Sequence, residues 1–314
     1  MSAAVLARSF ERCGGTAFVG SLVWERFVYD PEPGPIPFDR LVNSVPIATS
    51  LALITPTTYA LRRFGIVRPQ ASRVSQAISR PVIGLDITRR VDEVSRDLDE
   101  LCRYLSIDVV VAVDVGGDVL ATEPCEDLWS PLADAMGLAV VSRLRVPTIL
   151  AVVSPGADGE LSREKVSRLL EDLARDGALL GGYIVGSIDA EEYDRVLEIA
   201  RSEASSIPAR AARGFRGEIA IRGGSRRVFV DVSSCSVYLL DARTVASRAL
   251  ARLVEDSDDV YTARRKLNAV GIYTELDLEE DLLKAFLEGV PLNPRTVEEI
   301  RRRGMERVRA RGGS

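Results

Sequence analysis

Two strongly apolar runs, IDVVVAV (107–113) and PTILAVV (147–153), constrain this chain more than any other feature. A strand without polar alternation fits a sheet covered on both faces. Amphipathic helical stretches flank both runs. In TRRVDEVSRDLDELCRYLS (88–106), Val91, Val94, Leu98, Leu101, Cys102 and Leu105 recur at three- and four-residue steps, forming one stripe. TAFVGSLV (16–23), TSLALIT (49–55), PVIGLDI (81–87) and GGYIVGSI (181–188) read as further strands, and 2–13, 69–80 and 190–204 as helices. Strand–helix alternation to about residue 205 predicts an α/β fold: a doubly wound, mostly parallel sheet with right-handed crossovers.

The pattern then changes. EIAIRGGSRRVFVDV (218–232) reads as a hairpin, SVYLLD (236–241) as a strand, and helices are expected near 244–254, 258–269 and 277–288. The expected organisation is a single α/β domain over 1–290, with 216–290 as a candidate C-terminal subdomain, then an Arg-rich helix over 291–314.

In a parallel sheet, loops after strands emerge at one carboxyl edge, where ligands of open α/β sheets bind. Three such loops carry unusual chemistry. WERFVYDPEPGP offers Trp24, Glu25, Arg26 and Asp30; its prolines forbid regular structure. DVGGDVLATE (114–123) offers Asp114, Gly116, Gly117 and Asp118; SPGADGEL (154–161) offers Gly156, Asp158, Gly159 and Glu160. Glycines let backbone amides approach an anion. Asp114 and Asp118 are candidate Mg²⁺ ligands, and Asp114, Asp118, Asp158 and Glu160 candidate catalytic carboxylates. Arg26 is the candidate clamp for a carboxylate or phosphate. The blander alternative is that Gly and Asp simply make turns, Trp24 packs, and Arg26 pairs with Glu25 or Asp30.

Composition narrows the chemistry. The 314 residues contain no histidine, which excludes His-based triads and His-ligated metals. Lysine occurs only at 165, 266 and 284, so nearly all positive charge is arginine, a poor general base. The four scattered cysteines signal neither zinc nor disulfides; Cys102 reads as core and Cys125 as a loop thiol, either nucleophile or small apolar filler. A net charge of −5 argues against nucleic acid, and no apolar run is long enough for a membrane span. A cytoplasmic protein is expected, and a homo-oligomer is compatible with the sequence. TELD (274–277) fits a capping box, and Ser162 with Lys165 reads as a helix cap rather than a catalytic dyad.

WERFVYDPEPGP, DVGGDVLATE, LWSPLADA, SPGADGEL, EASSIPARAARG and GIYTELDLE, in this order over residues 16–280, resemble the largely archaeal domain-of-unknown-function family 1152. The resemblance implies a Rossmann-like fold and no established activity. Members of that family open with an apolar strand and a glycine run ending in Asp before the first helix, whereas this chain starts inside the corresponding helix. The expectation is therefore that a first strand and glycine loop are missing, either because the start was assigned too late, in which case an upstream in-frame extension encodes them, or because the protein is truncated.

These features lead to the expectation of an enzyme binding a small anionic, phosphorylated or nucleotide-like metabolite with Mg²⁺. The alternatives are a non-catalytic ligand-binding or regulatory module, and a dinucleotide-dependent enzyme. Neither GxGxxG nor GxxxxGK[ST] is present.

Overall fold

The computed structural model describes residues 1–124 and 128–312. Cys125 lies outside the described residues. The chain runs through helix α1 (Ser2–Arg12), strands β1 (Gly20–Leu22), β2 (Leu41–Val42), β3 (Val45–Pro46), β4 (Leu51–Ile54), β5 (Tyr59–Arg62) and β6 (Gly65–Val67), then α2 (Gln70–Ile78), β7 (Val82–Leu85) and α3 (Val91–Tyr104). Next come β8 (Val110–Val115), α4 (Pro131–Ser142), β9 (Thr148–Val153), α5 (Arg163–Arg175), β10 (Leu179–Ile184), α6 (Ser187–Ile199) and α7 (Ile207–Ala212). The hairpin β11 (Gly217–Ile221) and β12 (Arg226–Val230) leads to β13 (Ser236–Asp241) and helices α8 (Ala242–Arg248), α9 (Ala251–Val254), α10 (Val260–Ala269), α11 (Glu275–Leu287) and α12 (Pro294–Gly312).

The α/β class holds, but the mostly parallel, Rossmann-like sheet does not. Among the described residues four small sheets form, ordered β1-β7-β4-β3, β10-β13-β9-β8, β11-β12 and β2-β5-β6. Of their ladders, only β1–β7 and β8–β9 are parallel; the others are antiparallel. The reason is physical. An apolar run specifies burial, not direction. β13 enters antiparallel between β9 and β10, a slot that strand–helix alternation alone assigns to consecutive parallel strands. β4 follows β3 through a short turn, which forces an antiparallel pair.

Helices cover both faces of the sheet. Along β9, Leu150 and Val152 join a core with α3, α4 and α8 to α10, while Ala151 and Val153 join a second core with α1, α2, α6 and α7. The α3 stripe inserts Val91, Val94, Leu98 and Cys102 into the first of these cores. β8 is an edge strand, and Val111 is 43 % exposed despite the apolar sequence around it. Residues of α8 to α11, including Val245, Val254, Leu267 and Leu276, share the first core with β9 and α4. Ser162 Oγ accepts from Lys165 N, capping α5, and Thr274 and Asp277 form the reciprocal box that starts α11. Among the described residues no helix is long and apolar enough to cross a membrane.

Candidate functional site: a carboxylate cleft

The loops after the parallel strands β8 and β9 lie side by side. Gly156 N donates to Gly116 O at 2.7 Å, and Gly116 N to Val153 O at 3.0 Å. Gly116 and Gly117 have φ of 122° and 98°, the left-handed region that glycine enters without strain. Gly117 N closes the turn by donating to Asp114 Oδ2 at 2.7 Å. The loop of β9 brings Asp158 against this turn so closely that a Cβ on Gly116 would stand 2.2 Å from Asp158 Cγ. Gly156 and Gly159 also have positive φ, 79° and 70°.

Gly116→Ala is expected to cost on the order of 2–4 kcal/mol, combining backbone strain with displacement of Asp158. Gly14→Ala is the control. Its φ of 90° imposes similar strain, but no atom lies within 4 Å of its Cβ. Denaturant unfolding of the two variants separates the contributions; equal losses would show that the Asp158 contact contributes nothing.

Five carboxylates meet here. Oxygens of Asp114, Asp118 and Asp134 lie within 4.8 Å of one another, as do those of Asp118, Asp158 and Glu160. Asp118, 6 % exposed, belongs to both groups. Asp134 comes from the first turn of α4 and was not singled out from the sequence. Its signal was legible, because Ser130-Pro131 marks a helix start shortly after β8.

Hydrogen bonding divides the five. Glu160 is saturated: it accepts from Trp129 N (2.5 Å), Ser130 N (3.2 Å), Ser130 Oγ (2.7 Å) and the Arg222 guanidinium. Ser130 Oγ thus serves Glu160 instead of capping α4. Asp158 Oδ1 accepts from Glu160 N at 3.0 Å, but its buried Oδ2 has no partner among the described residues. Asp118 has a long contact from Ser130 Oγ, at 3.5 Å, and otherwise shares side-chain hydrogen bonds with the neighbouring carboxyls of Asp114, Asp134 and Asp158.

Crowded, poorly solvated carboxylates resist ionisation. Burial, with Glu160 nearby, pushes Asp114 up to about 6. Burial and the charges of Glu160 and Asp114 push Asp158 up to about 7. Asp118 and Asp134 rise well above the usual carboxylate range, from burial first and then from neighbouring carboxylates.

The first loop contributes differently. Trp24 Nε1 donates to Glu279, which also accepts from Gly34 N at 2.8 Å. Glu25 accepts from Gln70 N at 2.6 Å, at the start of α2, and burial pushes its carboxyl up to about 7. Asp30 pairs with Arg62 at 2.6 Å. The structure therefore does not bring Trp24, Glu25 or Asp30 into the carboxylate cluster.

Arg26 is within electrostatic reach of Glu160. Its proton affinity is lowered by the protein packed around it and by the charge of Arg222, against Glu203 and Glu160. Its side chain is solvent-exposed. No carboxylate pairs with it among the described residues, so the expected pairs with Glu25 or Asp30 do not form.

Three further residues escaped the sequence reading. Glu275 reaches from α11 to accept from Leu132 N and Ala133 N, holding the start of α4; burial pushes it up to about 8. Glu279 anchors the first loop in the way described above. Arg222, on the hairpin turn at a strained φ of 53°, reaches Glu160. These contacts span 62 to 255 residues of sequence and leave no local signal.

No curated protein and no solved structure matches the chain. The family described as "Protein of unknown function (DUF1152)" matches residues 1–283, a span that holds the whole carboxylate cleft and stops short of α12. The chain belongs to the DUF1152 family.

Proposed function

We propose that this protein binds a divalent cation of the Mg²⁺ class in the carboxylate cleft and, through it, the oxyanion of a small metabolite on which it acts as an enzyme. The observation that carries this reading is the set of acceptor oxygens on Asp114, Asp118, Asp134 and Asp158 that face one another with few protein donors. Oxygens around an octahedral Mg²⁺ at about 2.1 Å stand roughly 3 to 4.2 Å apart, and the spacing within each group of three is compatible with that. Asp114 and Asp118 remain the leading ligands, with Asp134 and Asp158 beside them. Glu160 is committed to its four donors and holds Arg222 and the residues before α4 in place. Arg26 supplies the second hold on the anion. A cation so placed would polarise the bound oxyanion and acidify a water molecule. Asp158, titrating near neutrality with a free oxygen, is the group suited to carry a proton.

Cation binding should be proton-linked. The cation needs ionised carboxylates, so affinity is expected to rise with pH between about 6 and 8, about ten-fold per pH unit for each proton displaced. The metal-free fold follows the opposite trend. Its raised carboxyls keep protons that the unfolded chain has released above pH about 4. Their contribution is complete at low pH and is lost as pH rises through 6 and 7. Titration calorimetry with Mn²⁺ and Mg²⁺ at pH 6, 7 and 8, in buffers of different ionisation enthalpy, tests the first trend, and denaturant unfolding of the metal-free protein between pH 4 and 8 tests the second. Failure of either cation to bind at pH 8 and millimolar concentration would sink the reading.

A further inference from the structure

We infer that the cleft is a two-cation centre bridged by Asp118, with one divalent cation between Asp114, Asp118 and Asp134 and a second between Asp118 and Asp158. This rests on the cation reading proposed above and adds a second metal position to it. The carboxylates fall into two groups, Asp114–Asp118–Asp134 and Asp118–Asp158–Glu160, and within each the oxygens lie within 4.8 Å of one another. Asp118 is common to both. A carboxylate has two oxygens and can give one to each of two cations, at the separation of about 3.5–4 Å found in metal pairs. The two positions differ in setting. Asp114 and Asp134 are half-buried, whereas Asp118 and Asp158 are 6 % and 7 % exposed, so the second position lies deeper.

Asp158 supplies the independent sign of a ligand there. Its Oδ1 accepts from Glu160 N, but its Oδ2 is buried without a partner among the described residues. A buried carboxylate oxygen left without a partner is costly. The fold nevertheless makes room for it, since any Cβ on Gly116 would stand 2.2 Å from Asp158 Cγ. A cation in the second position is the partner that this oxygen lacks. Glu160 keeps its own donors and contributes no bond to the metal. Cations of the Mg²⁺ class commonly take one or two carboxylates and complete their shell with water and substrate oxygens, so Asp118 and Asp158 suffice.

Charge points the same way. Glu160 is paired with Arg222, whereas Asp114, Asp118, Asp134 and Asp158 form no ion pair among the described residues. One divalent cation would leave two of those four negative charges uncompensated, and Arg26 could offset only one of them. Such a centre would repel the oxyanion it is proposed to hold. A second divalent cation compensates all four, and the pair can then hold two oxygens of a single phosphoryl or carboxylate group. Asp158, the proton carrier while one cation is bound, becomes a ligand when the second enters.

The test uses the full chain and Mn²⁺ at pH about 8, where protons compete least for the carboxylates. Calorimetry on the wild type should show uptake of roughly two equivalents. Electron paramagnetic resonance at that loading should show the bound ions losing the hyperfine pattern of isolated Mn²⁺, because ions about 3.5–4 Å apart across a shared carboxylate are magnetically coupled. Asp158→Asn should take up roughly one equivalent, within about ten-fold of the wild-type affinity for the first, and show the isolated-ion pattern. The wild-type stoichiometry and spectrum decide the question even if this variant folds poorly. Saturation of the wild type at one equivalent, or a second equivalent with isolated-ion spectra, overturns the inference and leaves the single-cation reading intact. A coupled pair that persists in Asp158→Asn overturns it as well. Absence of any Mn²⁺ binding sinks the earlier reading together with this one.

Discussion

Asp118→Asn is expected to weaken divalent cation binding by about 100-fold or more, since it removes an ionised oxygen ligand that cannot be replaced from the same position. Asp118 is the residue common to both carboxylate groups, and besides hydrogen bonds shared with the carboxyls of Asp114, Asp134 and Asp158 it has a long contact from Ser130 Oγ at 3.5 Å. The amide has the same shape and no charge. In metal-free protein at pH 8 it should therefore relieve repulsion and raise stability, on the order of 1 kcal/mol. Loss of binding with a gain in apo stability is the signature of a ligand held in place against its own electrostatics. A carboxylate that merely closes a turn would show the reverse, with stability falling and cation affinity unchanged. Glu160→Gln is the companion variant. It breaks a charge-assisted bond to Arg222, so it should destabilise the fold and leave cation affinity within a few-fold. Calorimetry and denaturant unfolding on the two variants read all four quantities.

The parts legible in the sequence were those set by local chemistry. The α3 stripe, the proline-rich irregular loop, the caps at Ser162 and Thr274, and the hairpin around Gly223 depend on residues a few positions apart. The turn at Gly116-Gly117 was also legible, and so was its position after β8. Direction was not. The runs LALI (51–54) and SVYLLD satisfy burial equally well in either orientation, and both lie antiparallel to a neighbour that alternation would make parallel. The site followed the same division. Loops after β8 and β9 meet because those two strands are parallel neighbours. The loop after β1 belongs to another sheet, and of its polar candidates Arg26 alone has no partner within the loop's own hydrogen-bond and ion-pair framework among the described residues, while the charge of Glu160 reaches it. Glu275, Glu279 and Arg222 act across distances at which composition carries no information.

That division also explains why the acids of the first loop differ from those of the other two. A segment with prolines at 31, 33, 35 and 37 cannot donate from those positions or form a ladder, yet its carbonyls still need donors. Glu279 satisfies Gly34 N and Trp24 from one side. Arg62, from β5, satisfies the carbonyls of Glu32 and Gly34 from the other, at 2.7 and 3.0 Å. The loop is held by long-range charged groups in place of regular structure, and Arg26 at its start inherits its position from them.

Arg62→Met is accordingly expected to be among the most damaging single changes, costing about 3–5 kcal/mol. Arg62 and Asp30 are 8 % and 2 % exposed, and their ion pair is 2.6 Å long. Burial raises the Asp30 carboxyl even with Arg62 opposing it, so its charge depends on that partner. Truncating the arginine leaves a buried carboxylate unpaired and two loop carbonyls without donors. Converting both residues in Asp30→Leu/Arg62→Met removes the stranded charge, so a double-mutant cycle should recover roughly half the loss, the remainder belonging to the carbonyls. Urea unfolding of the wild type, both single variants and the double variant measures this. Additive losses would show that the pair is not coupled. Cation affinity supplies the second readout. In variants that remain folded it should stay within a few-fold of wild type, because Asp30 is spent on Arg62 and not on the cleft; a large drop would return Asp30 to the ligand set.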